Sequence, residues 1–468
     1  MERGDIQSFR AVAGDDLEQR AEMSRLLDKT WFTLATYWHG RCAIARQFAP
    51  SKIVKAQNKK LQSLIRYSFN NIKYYRELLE RAGIMPEHIK TAEDLQKIPI
   101  LTKEQLRERF WDFLPRELPM CRVSRTSGST GVPVCILSDR NSRMSNSAGV
   151  IRYRHALGVG FIGRPILTPL KTAGEPWRRQ PHWTFLQGIH KTFYINPYID
   201  SQENIQYAKK LLTHLKKPAL IGITPAITML AYKVRDGAFP CFEPSVIITT
   251  GECLSPKVRE LLESTFEAKV ADVYACNEAG DVAWQCHHGS GYHVNADDFI
   301  VEVIKDGEPV TDEEVGEVVI TNLNRYAMPI IRYKNGDLAK PLHKPCPCGC
   351  RLPMLAEIVG RTGEDIHLPD GRIIPWNQLK GPMNHPQVRQ FQLVQNDNGS
   401  LTVRYVAEPN ADHKPVEDLL LHRYRNVLGP SIVVGIERVE RIVPPPSGKS
   451  KFIISYYHEL PRESVQFW

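Results

Sequence analysis

Between Arg164 and Glu278 the chain repeats one pattern, a short β-compatible run followed by a helix-length segment. The runs are Arg164 to Leu170, Ala219 to Ile223, Ser245 to Thr250 and Lys269 to Tyr274. Glu203 to Leu215 and Thr224 to Val234 read as helices between them. This alternation points to an α/β fold, with helices flanking the strands. It also places the ligand, because such sheets bind at the carboxyl ends of their strands. Glu252, Tyr274 and Glu278 all fall at those ends.

The bulk properties exclude several classes. A chain of 468 residues holds more than one domain. Apolar residues at 42% and charged residues at 24% are those of a soluble globular protein. The net charge of +9 is mild and not gathered in one long run, so a polyanionic substrate explains it as well as nucleic acid does. No apolar run approaches the roughly 18 residues a membrane span needs. Met1 to Asp16 has no apolar core of a secretory signal, and the expected location is cytoplasmic. Ten cysteines, three of them at Cys346, Cys348 and Cys350, suggest metal in a reducing compartment rather than disulfides.

The segment Ser127-Gly128-Ser129-Thr130-Gly131 packs hydroxyls and glycines between the runs Cys121 to Val123 and Val132 to Leu137. Glycines let successive N–H groups converge on an anion, and the hydroxyls add donors. It is phosphate-cradle chemistry, although Val132 stands where a Walker A loop has lysine.

A second constellation is Cys286, His287, His288 and His293, answered by Cys346, Cys348 and Cys350. Zinc takes four N or S ligands in a tetrahedron, and the best set is Cys286, His293, Cys346 and Cys348. His287 and Cys350 stand in reserve. With four protein ligands and no open position, such a site is structural. Phe299 to Ile304 and Gly316 to Thr321 alternate like a hairpin that brings the two ligand segments together.

Elsewhere, Leu17 to Gln47 and Lys52 to Ala82 read as helices, and Thr91 opens a further one. Lys171 to His190, rich in Trp, Pro and basic residues, suits a loop lining a pocket. Met328 to Tyr333 reads as a strand ending in an Asn335-Gly336 turn, with Asp337 just past it, placed to accept from a ribose diol. From about Asp365 the chain changes to a small α+β unit. It has a hairpin at Phe391 to Val406, a helix face at Val416, Leu420, Tyr424 and Val427, and a loop Pro444 to Phe452 leading into a last strand.

Together these segments resemble the adenylate-forming superfamily, in its phenylacetate–CoA ligase and CapK-like branch. Ser127 to Pro133 resembles the family's SSGTTGxP phosphate loop. Tyr274 to Glu278 resembles its Y-G-x-[ST]-E segment, with Ala275 for Gly and Asn277 where the family has Thr or Ser. Pro329 to Asp337 resembles P-L-I-R-Y-x-x-G-D, and Gly360-Arg361 with Gly448-Lys449 resembles the hinge Gly-Arg and C-terminal Gly-Lys. The match runs over residues 55 to 460.

The resemblance implies that a carboxylate attacks the α-phosphorus of ATP, pyrophosphate leaves, and a thiol then displaces AMP from the acyl-adenylate. It assigns Ser127, Gly128, Ser129, Thr130 and Gly131 to the β- and γ-phosphates, and Glu278 to Mg²⁺. Tyr274 packs on adenine, and Asp337 holds the ribose with Arg361 in support. Glu252 and Asn277 join the nucleotide site. Lys449 reaches the substrate carboxylate and α-phosphate, with Lys451 as its rival. The hinge residue stays open between Glu364 and Asp365. Zinc-binding Cys/His residues also occur in part of this branch.

The expected organisation is a helical extension at 1–54, a large adenylation domain at 55–362 with mixed β-sheets flanked by helices and a zinc-binding insertion at 286–350, and a small mobile α+β domain at 363–468. Expected cofactors are ATP, Mg²⁺, coenzyme A and structural Zn²⁺. Expected partners are a carboxylic acid, aromatic by branch similarity, and coenzyme A, or else a carrier-protein thiol or an amine. Nucleic acid and membrane are not expected, and a homodimer stays open. The more remote alternative is a zinc-stabilised binding protein without catalysis.

Overall fold

The computed structural model describes residues 32–125, 134–172, 174, 180–185, 187–312, 314–361, 366–374, 376–379, 385–443 and 452–457. Ser127 to Gly131, Glu364, Asp365, Lys449 and Lys451 lie outside the described residues.

Among the described residues the amino-terminal half begins with helices α1 (residues 32–46), α2 (Pro50–Asn71) and α3 (Lys73–Arg81). α2 starts on a proline, whose missing N–H costs nothing in a first turn. It buries Ile53, Leu61, Leu64 and Ile65, spaced as one helical face. Extended Ile72 divides the run Lys52 to Ala82 into two helices. The helix expected to open at Thr91 is instead a 3₁₀ turn, Glu93–Lys97. Asp94 explains it: its Oδ2 accepts from the N–H groups of Lys90 and Thr91, at 2.9 and 3.0 Å, and closes a tight turn. Helix α4 (Lys103–Glu108) does start on a capping box between Thr102 and Gln105.

Strands β1 (Arg122–Arg125) and β2 (Cys135–Ser138) pair antiparallel with Arg125 opposite Cys135. The strand residues on either side of the hydroxyl-rich segment, Arg125 and Cys135, therefore lie side by side. Helix α5 (Arg140–Ala156) follows, capped by Asp139. Next come β3 (Ile166–Pro169), β4 (His182–Thr184), β5 (His190–Ile195), α6 (Gln202–His214), β6 (Ala219–Ile223), α7 (Thr224–Arg235), β7 (Val246–Thr250), α8 (Pro256–Phe266) and β8 (Val270–Cys276). Strands β5, β3, β6, β7 and β8 are parallel neighbours, as the alternation requires.

An antiparallel run continues the same sheet: β9 (Gly280–Gln285), β10 (Tyr292–Val294), β11 (Phe299–Lys305), β12 (Glu308–Pro309), β13 (Gly316–Asn322), β14 (Tyr333–Leu342) and β15 (Met354–Arg361). The result is one 13-stranded sheet ordered β12-β11-β13-β14-β15-β10-β9-β8-β7-β6-β3-β5-β4.

Two expectations are corrected here. The β11–β13 hairpin forms but lies at the far edge, away from the metal ligands. Pairing of β10 with β15 brings the ligand segments together, since one lies at the β9–β10 turn and the other in the β14–β15 connection. Asn335-Gly336-Asp337 is not a turn at a strand end, because β14 runs straight through it. Against β13, Lys334 faces Val319 and Leu338 faces Glu317, so β14 bulges there. Gly336, at φ +82°, supplies the conformation that the bulge needs.

The carboxy-terminal part holds β16 (Ile366–His367), β17 (Ile373–Ile374), α9 (Trp376–Leu379), β18 (Val388–Gln395), β19 (Leu401–Ala407), α10 (His413–Leu428), β20 (Val434–Arg438) and β21 (Ile453–Ser455). A four-stranded sheet, β20-β19-β18-β21, packs Leu393, Val403 and Tyr405 with Val416, Leu420 and Tyr424 of α10 in a core of its own. Among the described residues no helix is long and apolar enough to cross a membrane.

Candidate active site and metal centre

The β14 bulge carries Asp337 beside β8 residues at the carboxyl end of the parallel block. Asp337 and Arg361 face each other directly across β14 and β15. Arg361 Nε lies 2.8 Å from Asp337 Oδ1, and Arg361 also donates to the Asn335 carbonyl at 3.1 Å. The other carboxylate oxygen accepts from Tyr274 Oη and Asn335 Nδ2, each at 2.7 Å. Asn335 Oδ1 in turn accepts the Asp337 N–H at 3.0 Å. Burial and the neighbouring Asp337 carboxylate push the Tyr274 hydroxyl well up, so it stays a donor.

Glu278 lies in the turn between β8 and β9 and is buried. Its Oε1 accepts from Tyr333 Oη at 3.2 Å. Tyr333, at the start of β14, thus links Glu278 to the strand that bears Asp337. Gly280 shapes the same turn at φ +112°, and a Cβ there would come 2.3 Å from Asn146 Oδ1. The Cys276 thiol sits among these groups. Burial first, then Glu278 and Asp337, push it up to about 12, so it stays protonated. Asn277 is exposed beside it. Glu252 follows β7, and its carbonyl accepts from Thr224 Oγ1 at 3.2 Å.

The structure therefore gathers Tyr274, Asp337, Arg361 and Glu278, with Glu252 one strand over. Sequence reasoning missed Asn335, Tyr333 and Cys276 as part of this network. It also gave no role to Arg332. That residue is buried at φ +54°, pairs with Glu302 at 3.0 Å and donates to the Ile98 carbonyl at 2.6 Å. An arginine at the end of the apolar run Met328 to Ile331 was the available signal. Its chemistry is anchoring: it fixes the segment that delivers Tyr333 and Asp337.

The candidate metal centre is built from the residue after β9, from strand β10 and from the β14–β15 connection. One ligand atom from each of Cys286, His293, Cys346 and Cys348 lies within 4.8 Å of all the others. Cys286 and Cys346 sulfurs are 3.5 Å apart, and Cys348 Sγ is 3.4 Å from His293 Nε2. A tetrahedron of three sulfurs and one nitrogen, with Zn–S of about 2.3 Å and Zn–N of about 2.1 Å, has edges of roughly 3.6–3.8 Å, close to the two separations seen. The donor set therefore fits zinc. Burial holds His293 down to about 4, which keeps its imidazole neutral and able to ligate. The Cys350 N–H donates to Cys348 Sγ at 3.4 Å, as backbone groups around thiolate ligands do. Next to the site the Arg351 N–H donates to the Gln47 carbonyl at 2.7 Å, tying the end of α1 to this loop.

Residues 368–456 match the CapK C-terminal domain family. A phenylacetate–coenzyme A ligase of Thermus thermophilus is 26% identical over 381 residues, covering 75% of this chain and 80% of that protein. Protein CapK of Staphylococcus aureus is 21% identical over 415 residues, covering 86% and 89%. Among solved structures, 2-hydroxyisobutyryl-CoA ligase in its postadenylation state superposes with a TM-score of 0.68 at 20% identity, covering 86% of this chain and 89% of that one. The same ligase in its thioesterification state superposes at 0.58, covering 88% and 91%. With the order of elements, the mixed sheet and the carboxy-terminal domain in agreement, this chain has the fold of the adenylate-forming CoA ligases, and its homologues are the phenylacetate–CoA ligases and CapK.

Proposed function

We propose that this protein is an AMP-forming acid–CoA ligase. It activates a carboxylic acid with ATP as an acyl-adenylate, releases pyrophosphate, and passes the acyl group to the thiol of coenzyme A. The observation that carries this reading is the buried Asp337–Arg361–Tyr274 network with Glu278 beside it at the strand ends. Such an arrangement presents a fixed carboxylate to a diol and a second one to a cation. Ligases for phenylacetate and 2-hydroxyisobutyrate among the relatives give the reaction class.

In this reading Asp337 accepts from the ribose hydroxyls, Arg361 orients it, and the Tyr274 ring packs on adenine. Glu278, which accepts from Tyr333, would hold Mg²⁺, and that ion would neutralise charge as pyrophosphate departs. Ser127, Gly128, Ser129, Thr130 and Gly131 hold the β- and γ-phosphates. Glu252 and Asn277 border the nucleotide. Lys449 approaches the carboxylate and α-phosphate. Zn²⁺ on Cys286, His293, Cys346 and Cys348 is structural, since four protein ligands complete its tetrahedron.

The acid is aromatic in this proposal, by likeness to the phenylacetate ligases. The test is pyrophosphate release with ATP and Mg²⁺ over a panel of aromatic and aliphatic acids, with and without coenzyme A. Release that depends on one acid, with thioester accumulating when coenzyme A is added, is the expected result. Acid-dependent release that ignores coenzyme A would move the acceptor to a carrier-protein thiol or an amine. No release with any acid overturns the reading.

A further inference from the structure

Helices α7 and α8 meet the carboxy-terminal sheet through polar contacts that belong to none of the sequence motifs. Arg389 on β18 forms a bidentate pair with Asp236, which caps α7: Nη1 to Oδ2 is 2.7 Å and Nη2 to Oδ1 is 2.6 Å. Its Nε donates to Glu408 Oε2 at 2.8 Å, and Arg235 also pairs with Glu408. Between them lies Tyr232, whose hydroxyl donates to the Arg389 carbonyl at 3.1 Å. The guanidinium carbons of Arg389 and Arg235 stand 4.8 and 5.0 Å from its ring centroid. Lys257 on α8 donates to the carbonyls of His385, at 2.6 Å, and Val388.

The Arg389 side chain is only 13% exposed. A guanidinium that buried is held where its partners are, and a bidentate fork fixes orientation as well as distance. Arg389 holds the Asp236 carboxyl below the usual range, so the pair is charged at neutral pH. A comparison of shape adds an independent observation. One solved relative fits this chain better in its postadenylation state, with an acyl-adenylate bound, than in its thioesterification state.

We propose that Arg389 is a positioning residue for the first half-reaction: clasped between Asp236 and Glu408, it holds the carboxy-terminal sheet against α7 in the arrangement used to form the adenylate. The inference rests on the adenylation reading above. Thioester formation then requires the clasp to open. Charge pairs suit that task, since they fix orientation while closed and each partner can be rehydrated when the surfaces part.

The test uses the full-length chain, with Arg389→Ala and the conservative Arg389→Lys. Small-angle scattering without ligands reads the arrangement directly. Arg389→Ala is expected to broaden the distribution of domain separations, and the wild type is expected to approach it at 1 M salt, where screening reaches about 3 Å. Unchanged scattering overturns the clasp, whatever the activity. Pyrophosphate release without coenzyme A reads the first half-reaction, and thioester formation from supplied acyl-adenylate reads the second. The expected loss is about tenfold in the first alone, with partial rescue by Arg389→Lys. Equal loss in both halves overturns the positioning role. A wild type that shows altered scattering in the variant but no release with any acid overturns the adenylation reading and leaves the clasp itself established.

Discussion

Arg361 reaches Asp337 across adjacent strands, Nε to Oδ1 at 2.8 Å, from the position directly opposite it in the ladder. The register itself therefore sets the pair. The Asp337 carboxylate is left with a charged partner on one oxygen and two neutral donors, Tyr274 and Asn335, on the other.

Removing the cation separates these contributions. Arg361→Ala leaves both neutral donors in place and is expected to raise KM for ATP about tenfold, as loss of one charge-assisted contact does. The effect on kcat should be smaller. Arg361→Lys should restore little, because an ammonium does not reproduce the planar fork that also reaches the Asn335 carbonyl. Steady-state kinetics at saturating acid decides it. An unchanged KM for ATP in both variants removes Arg361 from any support of ribose recognition.

Gly336 is the second lever on the same carboxylate. At φ +82° it occupies backbone space that costs other residues about 1–2 kcal/mol. Gly336→Ala is expected to relax the bulge and turn Asp337 away from Arg361. The reading is a raised KM for ATP with only a small fall in thermal midpoint. A large fall in midpoint with an unaltered KM would make the bulge a stability feature only.

Much of this arrangement was legible in the chain, and the failures have physical causes. The parallel block shows because buried strands are short apolar runs separated by helix-length segments, as Ser245 to Thr250 and Ala219 to Ile223 are. The Cys/His cluster shows because thiols and imidazoles at close spacing have few other uses. The bulge at Gly336 misleads because Asn-Gly-Asp is also turn chemistry, and only pairing with β13 and β15 tells the two apart. Asp94 misleads in a similar way: a capping pattern at Thr91 is real, but the carboxylate satisfies a tight turn first. Arg332 was silent because its partners, Glu302 and the Ile98 carbonyl, are distant in sequence.

Metal content gives the third prediction. Purified protein is expected to carry one zinc per chain, and Cys348→Ala to carry none. Loss of the ion should loosen the β14–β15 connection, the β9–β10 turn and, through the Arg351–Gln47 contact, the end of α1. Amide hydrogen exchange should accelerate there and stay unchanged in β6 and β7, which lie in the parallel block. Pyrophosphate release should persist. A metal-free, folded variant with no release would make the ion catalytic and overturn its structural role.

The last prediction concerns Asp272, whose side chain is buried in β8. It accepts from Thr249 Oγ1 at 2.6 Å and Tyr292 Oη at 2.8 Å, and so ties the parallel block to β10. Burial raises it from an ordinary 3.8 to about 6, against the opposing pull of those two hydroxyls. Between those pH values the native protein holds a proton that the unfolded chain has lost. Stability therefore falls through this group as pH rises from about 4 to about 6, and the penalty stays constant above that. A shift of about 2 units corresponds to roughly 3 kcal/mol. Asp272→Asn keeps an acceptor and has no charge to bury. Relative to wild type it is expected to gain stability between pH 4.5 and pH 7, read as urea midpoints of both proteins at the two pH values. Groups with depressed values, such as Asp297 beside Arg152, act in the opposite sense but equally in both proteins, so they cancel from the difference. Midpoints that move in parallel with pH would clear Asp272 of any titration in this range and place its carboxylate, charged, in a site better solvated than its burial indicates.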